Sequence, residues 1–207
     1  MRENQGHENG QAVSPVVGVM LMLVVTIIIA AVVSAFSGGL AGSQQKAPQA
    51  TIDVKIQMNA DTTMGSTTNR TTFTLLSGDS IQTKDLAIVT YYVNKNGVVY
   101  KNKQTVTSSA TDLYGKSKYT RVPFLNDQRL GYSGNNPPMD FGNYTWKTGD
   151  VLSTGSTAGT AALFAINSTS TPYTIRDPDF GPGSIVDIKI LHIPSGQYIY
   201  DKEVIVQ

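Results

Sequence analysis

Apolar residues are arranged along this chain in two different ways. From Ala12 to Phe36 they run together as AVSPVVGVMLMLVVTIIIAAVVSAF, and no charged residue occurs between Glu8 and Lys46. After Lys46 they come in short bursts that alternate with polar residues. The first pattern predicts a helix that is apolar on every side. Residues Val13 to Ser37 as a helix would reach about 37 Å, at roughly 1.5 Å per residue. That exceeds the roughly 20 residues needed to cross a bilayer, and far exceeds the roughly 7–15 residue core of a conventional secretion signal.

The second pattern predicts strands. In TIDVKIQM, Thr51 to Met58, the residues Ile52, Val54 and Ile56 alternate with polar ones, as in a half-buried strand. FTLLSGDSI, LAIVTYYV, VVYKN, ALFAIN, SIVDIKILHI and QYIYDKEVIVQ follow as strand-like runs. Asn96-Gly97 between two of them is a hairpin signal, and Pro194-Ser195-Gly196 joins the last two. Asn59 to Asn69 is rich in Thr, Ser and Gly and reads as an exposed loop. From Thr105 to Pro138 the periodicity is poor, and Pro137-Pro138 marks a break; loops and a short helix are expected there. Short β-branched and aromatic runs between Gly, Asn and Pro turns predict an antiparallel β-sandwich.

Both ends of the apolar helix are marked. Ser14 is placed to act as N-cap, Pro15 stands at the first helical position, where its missing N–H costs nothing, and Gly38-Gly39 supplies a stop. Along the helix, Gly18, Met22, Thr26, Ala30, Ser34 and Gly38 form one i, i+4 row of mostly small residues, with Ala31, Ala35 and Gly39 beside its C-terminal half. Small residues let membrane helices approach closely, so this row is the expected helix-packing face. Thr26 and Ser34 are able to bond back to their own helix's carbonyls.

Composition narrows the function. Sixteen basic residues, 16 by count, face 15 acidic ones for a net charge of +1, with no basic stripe to bind nucleic acid. The absence of cysteine excludes disulfides and thiolate sites. The histidines are His7 and His192, too few for a zinc triad, and no P-loop, G-x-G-x-x-G or G-x-S-x-G motif is present. No cofactor or metal is expected. Asp53, Asp79, Asp85, Asp150 and Asp187 read as turn and surface carboxylates rather than catalytic ones, and Asp177-Pro178-Asp179 as a turn rather than a cation site. Tyr91, Tyr92, Tyr198 and Tyr200 read as alternating core and surface positions. Asn69, Asn143 and Asn167 each begin an N-x-[ST] sequon, and glycans there are expected in polar loops on the exterior.

QAVSPVVGVMLMLVVTIIIAAVVSAF, Gln11 to Phe36, resembles the N-terminal segment of archaeal type IV pilins, in which a short polar leader precedes an A-V-S-P-V-[IV]-G-V start. LLSGDSIQTKDLAIV and SIVDIKILHIPSGQYIYDKEVIV resemble that family's C-terminal domain, with a Gly-Asp turn and a closing H-x-P-S-G-Q hairpin. The resemblance implies a leader at residues 1–10 cut by a membrane-embedded prepilin peptidase. The cut falls at Gly10/Gln11 or at Ala12/Val13; the glycine favours the first. Asn9 stands where the family usually has a basic residue, and no glutamate lies near the helix start, so a salt bridge from one to a neighbour's amino terminus is no part of this assembly.

The expected architecture is a leader (1–10), a long hydrophobic transmembrane and polymerisation helix (11–42), a linker (43–50), and an all-β, antiparallel, immunoglobulin-like sandwich head (51–207) outside the membrane. The expected function is structural: a subunit of a cell-surface filament that mediates adhesion, homopolymeric through its helix, with peptidase and assembly machinery as partners and an unknown surface or receptor. An archaellin-like motility subunit and a non-polymerising membrane-anchored binding module are the alternatives.

Overall fold

The computed structural model describes residues 15–40, 45–61, 67–167 and 174–207, and the side chains of all of these except 36–40. It divides into two units, residues 1–44 and 45–207.

The first unit is α1, Pro15–Leu40. Pro15 opens it, as the missing N–H predicts. The helix does not stop at Gly38-Gly39 but runs through both to Leu40. A helical glycine costs only about 1 kcal/mol relative to alanine, so two glycines do not by themselves end a helix.

The second unit, the head, is built on two four-stranded sheets. In chain order its strands are β1 (Ala50–Asp61), β2 (Thr67–Gly78), β3 (Ile81–Gln82), β4 (Leu86–Val93), β5 (Val99–Gln104), β6 (Thr111–Asp112), β7 (Tyr119–Thr120), β8 (Phe124–Leu125), β9 (Thr145–Trp146), β10 (Val151–Ser153), β11 (Ile185–His192) and β12 (Gln197–Ile205). One sheet has the order β1-β2-β10-β8, the other β12-β11-β4-β5, with two further two-stranded ladders, β3-β9 and β6-β7. Every named strand pair is antiparallel. The last residues tie the sheets together: Val206 forms a parallel bridge with Ile56, and the Met58 N–H donates to the Gln207 carbonyl at 2.8 Å. The head is sandwich-like, with no closed barrel.

The alternation read in β1 is kept: Ile52, Val54 and Ile56 are buried. They meet Phe73 and Leu75 of β2, Ile88 and Tyr92 of β4, and Val186, Ile188 and Ile190 of β11 in one core cluster. Trp146, Phe141 and Phe164 fill it from the connecting segments. The tyrosines alternate as expected, with Tyr92 and Tyr200 buried, Tyr91 half-buried and Tyr198 exposed. Asn94 holds the β4–β5 turn, its side-chain oxygen accepting from the Asn96 and Val98 N–H groups.

Two expectations are corrected. ALFAIN is not a strand: α2, Thr157–Leu163, takes in its first two residues, Ala162 and Leu163. Ser156 caps it, accepting from the Gly159 N–H at 3.3 Å, and its C-terminal carbonyls accept from Thr90 Oγ1 and Asn102 Nδ2 at 2.9–3.0 Å. Those donors satisfy carbonyls that a helix end leaves without intrahelical partners. The stretch Asn59 to Asn69 is also mostly strand where it is described, because β1 runs to Asp61 and β2 begins at Thr67. Threonine suits an extended backbone, so the Thr-rich composition that suggested a loop belongs to the end of a hairpin; residues 62–66 lie outside the described set.

Candidate functional site: the N-terminal helix and the head surface

The residues of α1 from Pro15 to Ala35 meet the length and composition of a membrane span, and none of that window is buried. At roughly 1.5 Å per residue this stretch spans about 31 Å, the thickness of a bilayer's hydrocarbon core. Val16, Leu21, Leu23, Ile27, Ile28, Ile29 and Val33 are all exposed, on every side of the rod. The unbroken helix brings Gly18, Met22, Thr26, Ala30 and Ser34 onto one row, with Ala31 and Ala35 beside it; Gly38 continues the row in the backbone. A β-carbon added at Gly18 would meet nothing within 4 Å. Thr26 satisfies its hydroxyl locally, donating to the Leu23 carbonyl at 2.9 Å. Gly10, Gln11, Ala12, Val13 and Ser14, the predicted cut and cap, lie outside the described residues.

On the head, the candidate carboxylates are dispersed, and those of Asp53, Asp79, Asp150, Asp177 and Asp187 are engaged. Asp53 pairs with Lys55 at 3.5 Å, and Asp187 with Lys189 at 3.4 Å. Asp79 accepts from the Gln49 N–H and Asp150 from the Lys147 N–H, both in turns. Asp177 is buried and accepts from Asn94 Nδ2 and the Asp179 N–H, each at 2.9 Å, so Asp-Pro-Asp is a turn tied to the β4–β5 hairpin. Among the described residues no group of three His, Asp or Glu side chains is placed to hold a metal. His192 is buried with Nδ1 2.8 Å from Ser195 Oγ, and that oxygen also accepts from the Gln197 N–H. This contact closes the β11–β12 turn.

The sequons differ. Asn143 and Asn167 are exposed. Asn69 sits within β2, where its side-chain oxygen accepts from the Asn59 N–H at 2.9 Å and its backbone bonds Thr157 and Thr160. Asn69 therefore lies in a strand pair rather than in the polar loop expected for it.

Residues 11–52 match the family described as Archaeal Type IV pilin, N-terminal. Over this segment the chain is similar to the N-terminal domain of archaeal type IV pilins. No curated protein matches the chain. The pilin domain takes in all of α1, the linker and the first residues of β1, and its family is one of structural filament subunits.

Sequence reasoning missed two features of the head. A cavity of about 460 Å³ lies beside the linker to the pilin helix, lined by Gln45, Lys46, Asp79, Asp85 and His192 among others. The outward face of the second sheet also ends in a row of exposed aliphatic side chains. Alternation marks these residues as strand, but the row exists only through the register of two hairpins, β4–β5 and β11–β12, that are distant from each other in sequence.

Proposed function

We propose that this chain is a subunit of an archaeal type IV pilus-like surface filament that serves adhesion. The precursor inserts with its head outside, the prepilin peptidase removes residues 1–10, and the retained helix waits in the bilayer. It then moves laterally into a bundle of identical helices, trading lipid contacts for close packing over the Gly18–Gly38 row. A repeated heterologous contact of this kind generates an open helical polymer rather than a ring. The observation that carries the reading is a pilin N-terminal domain whose helix has no buried side chain from Pro15 to Ala35. Such a rod is stable only in lipid or against copies of itself. That the family match begins at Gln11 supports a cut at Gly10/Gln11.

Glycans belong on the exposed Asn143 and Asn167 in preference to Asn69 within its strand pair, although Asn143 Nδ2 donates to the Pro137 carbonyl at 2.8 Å and has to be released first. The heads face outward and make the contacts of adhesion. The test is electron microscopy of material sheared from cells, with the chain identified in it by immunogold. The reading expects labelled filaments; labelled membrane with unlabelled filaments overturns it.

A further inference from the structure

The outward face of the second sheet carries a pattern that matches itself. Its last row crosses all four strands as Val99, Val93, Ile185 and Ile205, fixed by the pairs Val93↔Val99 and Ile185↔Ile205. The register joining Val186 to Tyr92 sets Ile185 beside Val93. These side chains are 60%, 55%, 51% and 59% exposed. The row lies at the end of the sheet away from the linker, because Asp85 and His192, at the other ends of β4 and β11, line the linker cavity. Behind it comes the row Lys101, Tyr91, Asp187, Glu203, and then Lys103, Val89, Lys189, Asp201. The β5 side of the face is thus basic and the β12 side acidic. Lys101, Lys103 and Glu203 form no ion pair with a described residue, while Lys189 bridges Asp201 at 2.7 Å and Asp187 at 3.4 Å and Lys101 Nζ lies 5.1 Å from the Tyr91 ring centre, so the second copy's groups would add to these contacts.

From this arrangement we infer that two heads pair face to face through this sheet, about a twofold axis running along the strands between β4 and β11. Such an axis exchanges the two sides of the sheet and keeps every row at its own level. Val99 then meets Ile205 of the second copy, and Val93 meets Ile185. Lys101 meets Glu203, Lys103 meets Asp201, and the Tyr91 hydroxyl reaches the Asp187 carboxylate. Opposite charges fall together in the Lys101–Glu203 and Lys103–Asp201 contacts, the apolar row is covered, and only buried Val89 faces a charge, that of Lys189. Aligned packing of two twisted sheets, at about −30°, keeps the strands of the two copies roughly parallel. Both linkers therefore leave from the same end, as two chains held in one membrane require.

The contact is isologous, whereas a helical polymer is built of heterologous ones. It therefore belongs to pairs of precursors or to neighbouring filaments, not to the helix bundle, and it does not depend on the polymerisation reading. A four-stranded face lies below the roughly 800 Å² per partner of a standard interface. The pair is accordingly weak, and it forms where membrane anchoring raises the local concentration.

The absence of cysteine allows a clean test on the full chain in membranes. Chains carrying Val93→Cys and chains carrying Ile185→Cys, co-expressed and treated with a mild oxidant, are expected to form a disulfide-linked dimer. Chains carrying Lys55→Cys, on β1 of the other sheet, are expected not to. Adding Glu203→Lys to both partners opposes like charges at two contacts and is expected to lower the yield about tenfold. Placing Glu203→Lys on one partner and Lys101→Glu on the other restores both contacts and is expected to recover the dimer, which also shows that each variant folds. Linkage no greater than with Lys55→Cys, or a yield indifferent to the charge changes, overturns the inference.

Discussion

In the head, the apolar side of each long strand meets side chains from elsewhere in the same chain. Phe73 and Leu75 of one sheet pack with Ile88 and Ile188 of the other, and Trp146 and Phe164 close the gap. In α1 no side chain between Pro15 and Ala35 is buried. Leaving a large aliphatic side chain in water costs about 1.5–3 kcal/mol, so the run from Val16 to Val33 would cost tens of kcal/mol as a bare rod in solution. The head therefore closes its own core, while the helix depends on its surroundings. The two parts have different needs. A self-sufficient domain is free to vary its surface, and a dependent rod is compelled to find lipid or copies of itself.

The comparison breaks most visibly if changes in one part are felt in the other. Replacing Ala30 and Ser34 together with leucine puts two bulky side chains into the small-residue row without lowering the apolarity of the span. Filaments should disappear from electron micrographs while the chain stays in the membrane fraction and the head melts as in the wild type. Filaments of unchanged number and shape would show that this row is not the packing face.

The converse change is Phe73→Ala. Phe73 is fully buried between the sheets, and emptying such a site costs about 3–5 kcal/mol. The head should lose most of its cooperative unfolding transition by circular dichroism, with membrane insertion of the helix unaffected. A smaller effect is expected at the Gly78-Asp79 turn. Gly78 has φ +119°, and a β-carbon there would run into the Gln49 carbonyl oxygen and the Ala50 backbone. Gly78→Ala should destabilise the head by more than about 1 kcal/mol in urea melts, again without removing the chain from the membrane.

The mildest change sharpens the comparison through pH. Asp140 is half-buried with Oδ1 lacking a partner. Burial raises its pKa, and the Arg121 backbone N–H and guanidinium pull it back only in part. The folded head keeps this proton to higher pH than the unfolded chain. Its contribution to stability is thus full below the unfolded pKa and is lost as pH rises through the folded one. Asp140→Asn should raise the melting temperature at pH 7 by an amount worth about 1 kcal/mol or less. The advantage should shrink toward pH 4. The helix, which lies in a stretch of sequence with no charge from Asn9 to Gln45, should respond to neither.

How much of this was readable in the sequence follows the same division. The helix was legible because its signal is local: an unbroken apolar run, Pro15 at its start and small residues at i, i+4. The β11–β12 hairpin was legible for the same reason, with alternation on both sides of Pro194-Ser195-Gly196. The features that escaped depend on distant partners. Leu163, Phe164 and Ile166 look like strand residues, yet Ser156 and the alanines before them start a helix whose end is held by Thr90 and Asn102. Thr67 and Thr68 carry no apolar alternation, and they are strand through the pairs Ala60↔Thr68 and Asp61↔Thr67. The outward row of Val93, Val99, Ile185 and Ile205 is invisible until the register of four strands is known.

The account rests on the helix being kept in the finished protein, and the mass of that protein tests it most directly. Intact-mass measurement with N-terminal sequencing of chain recovered from the cell surface should give a start at Gln11, or at Val13 if the alternative cut is used. A start near Leu40, with the apolar rod removed, would contradict it.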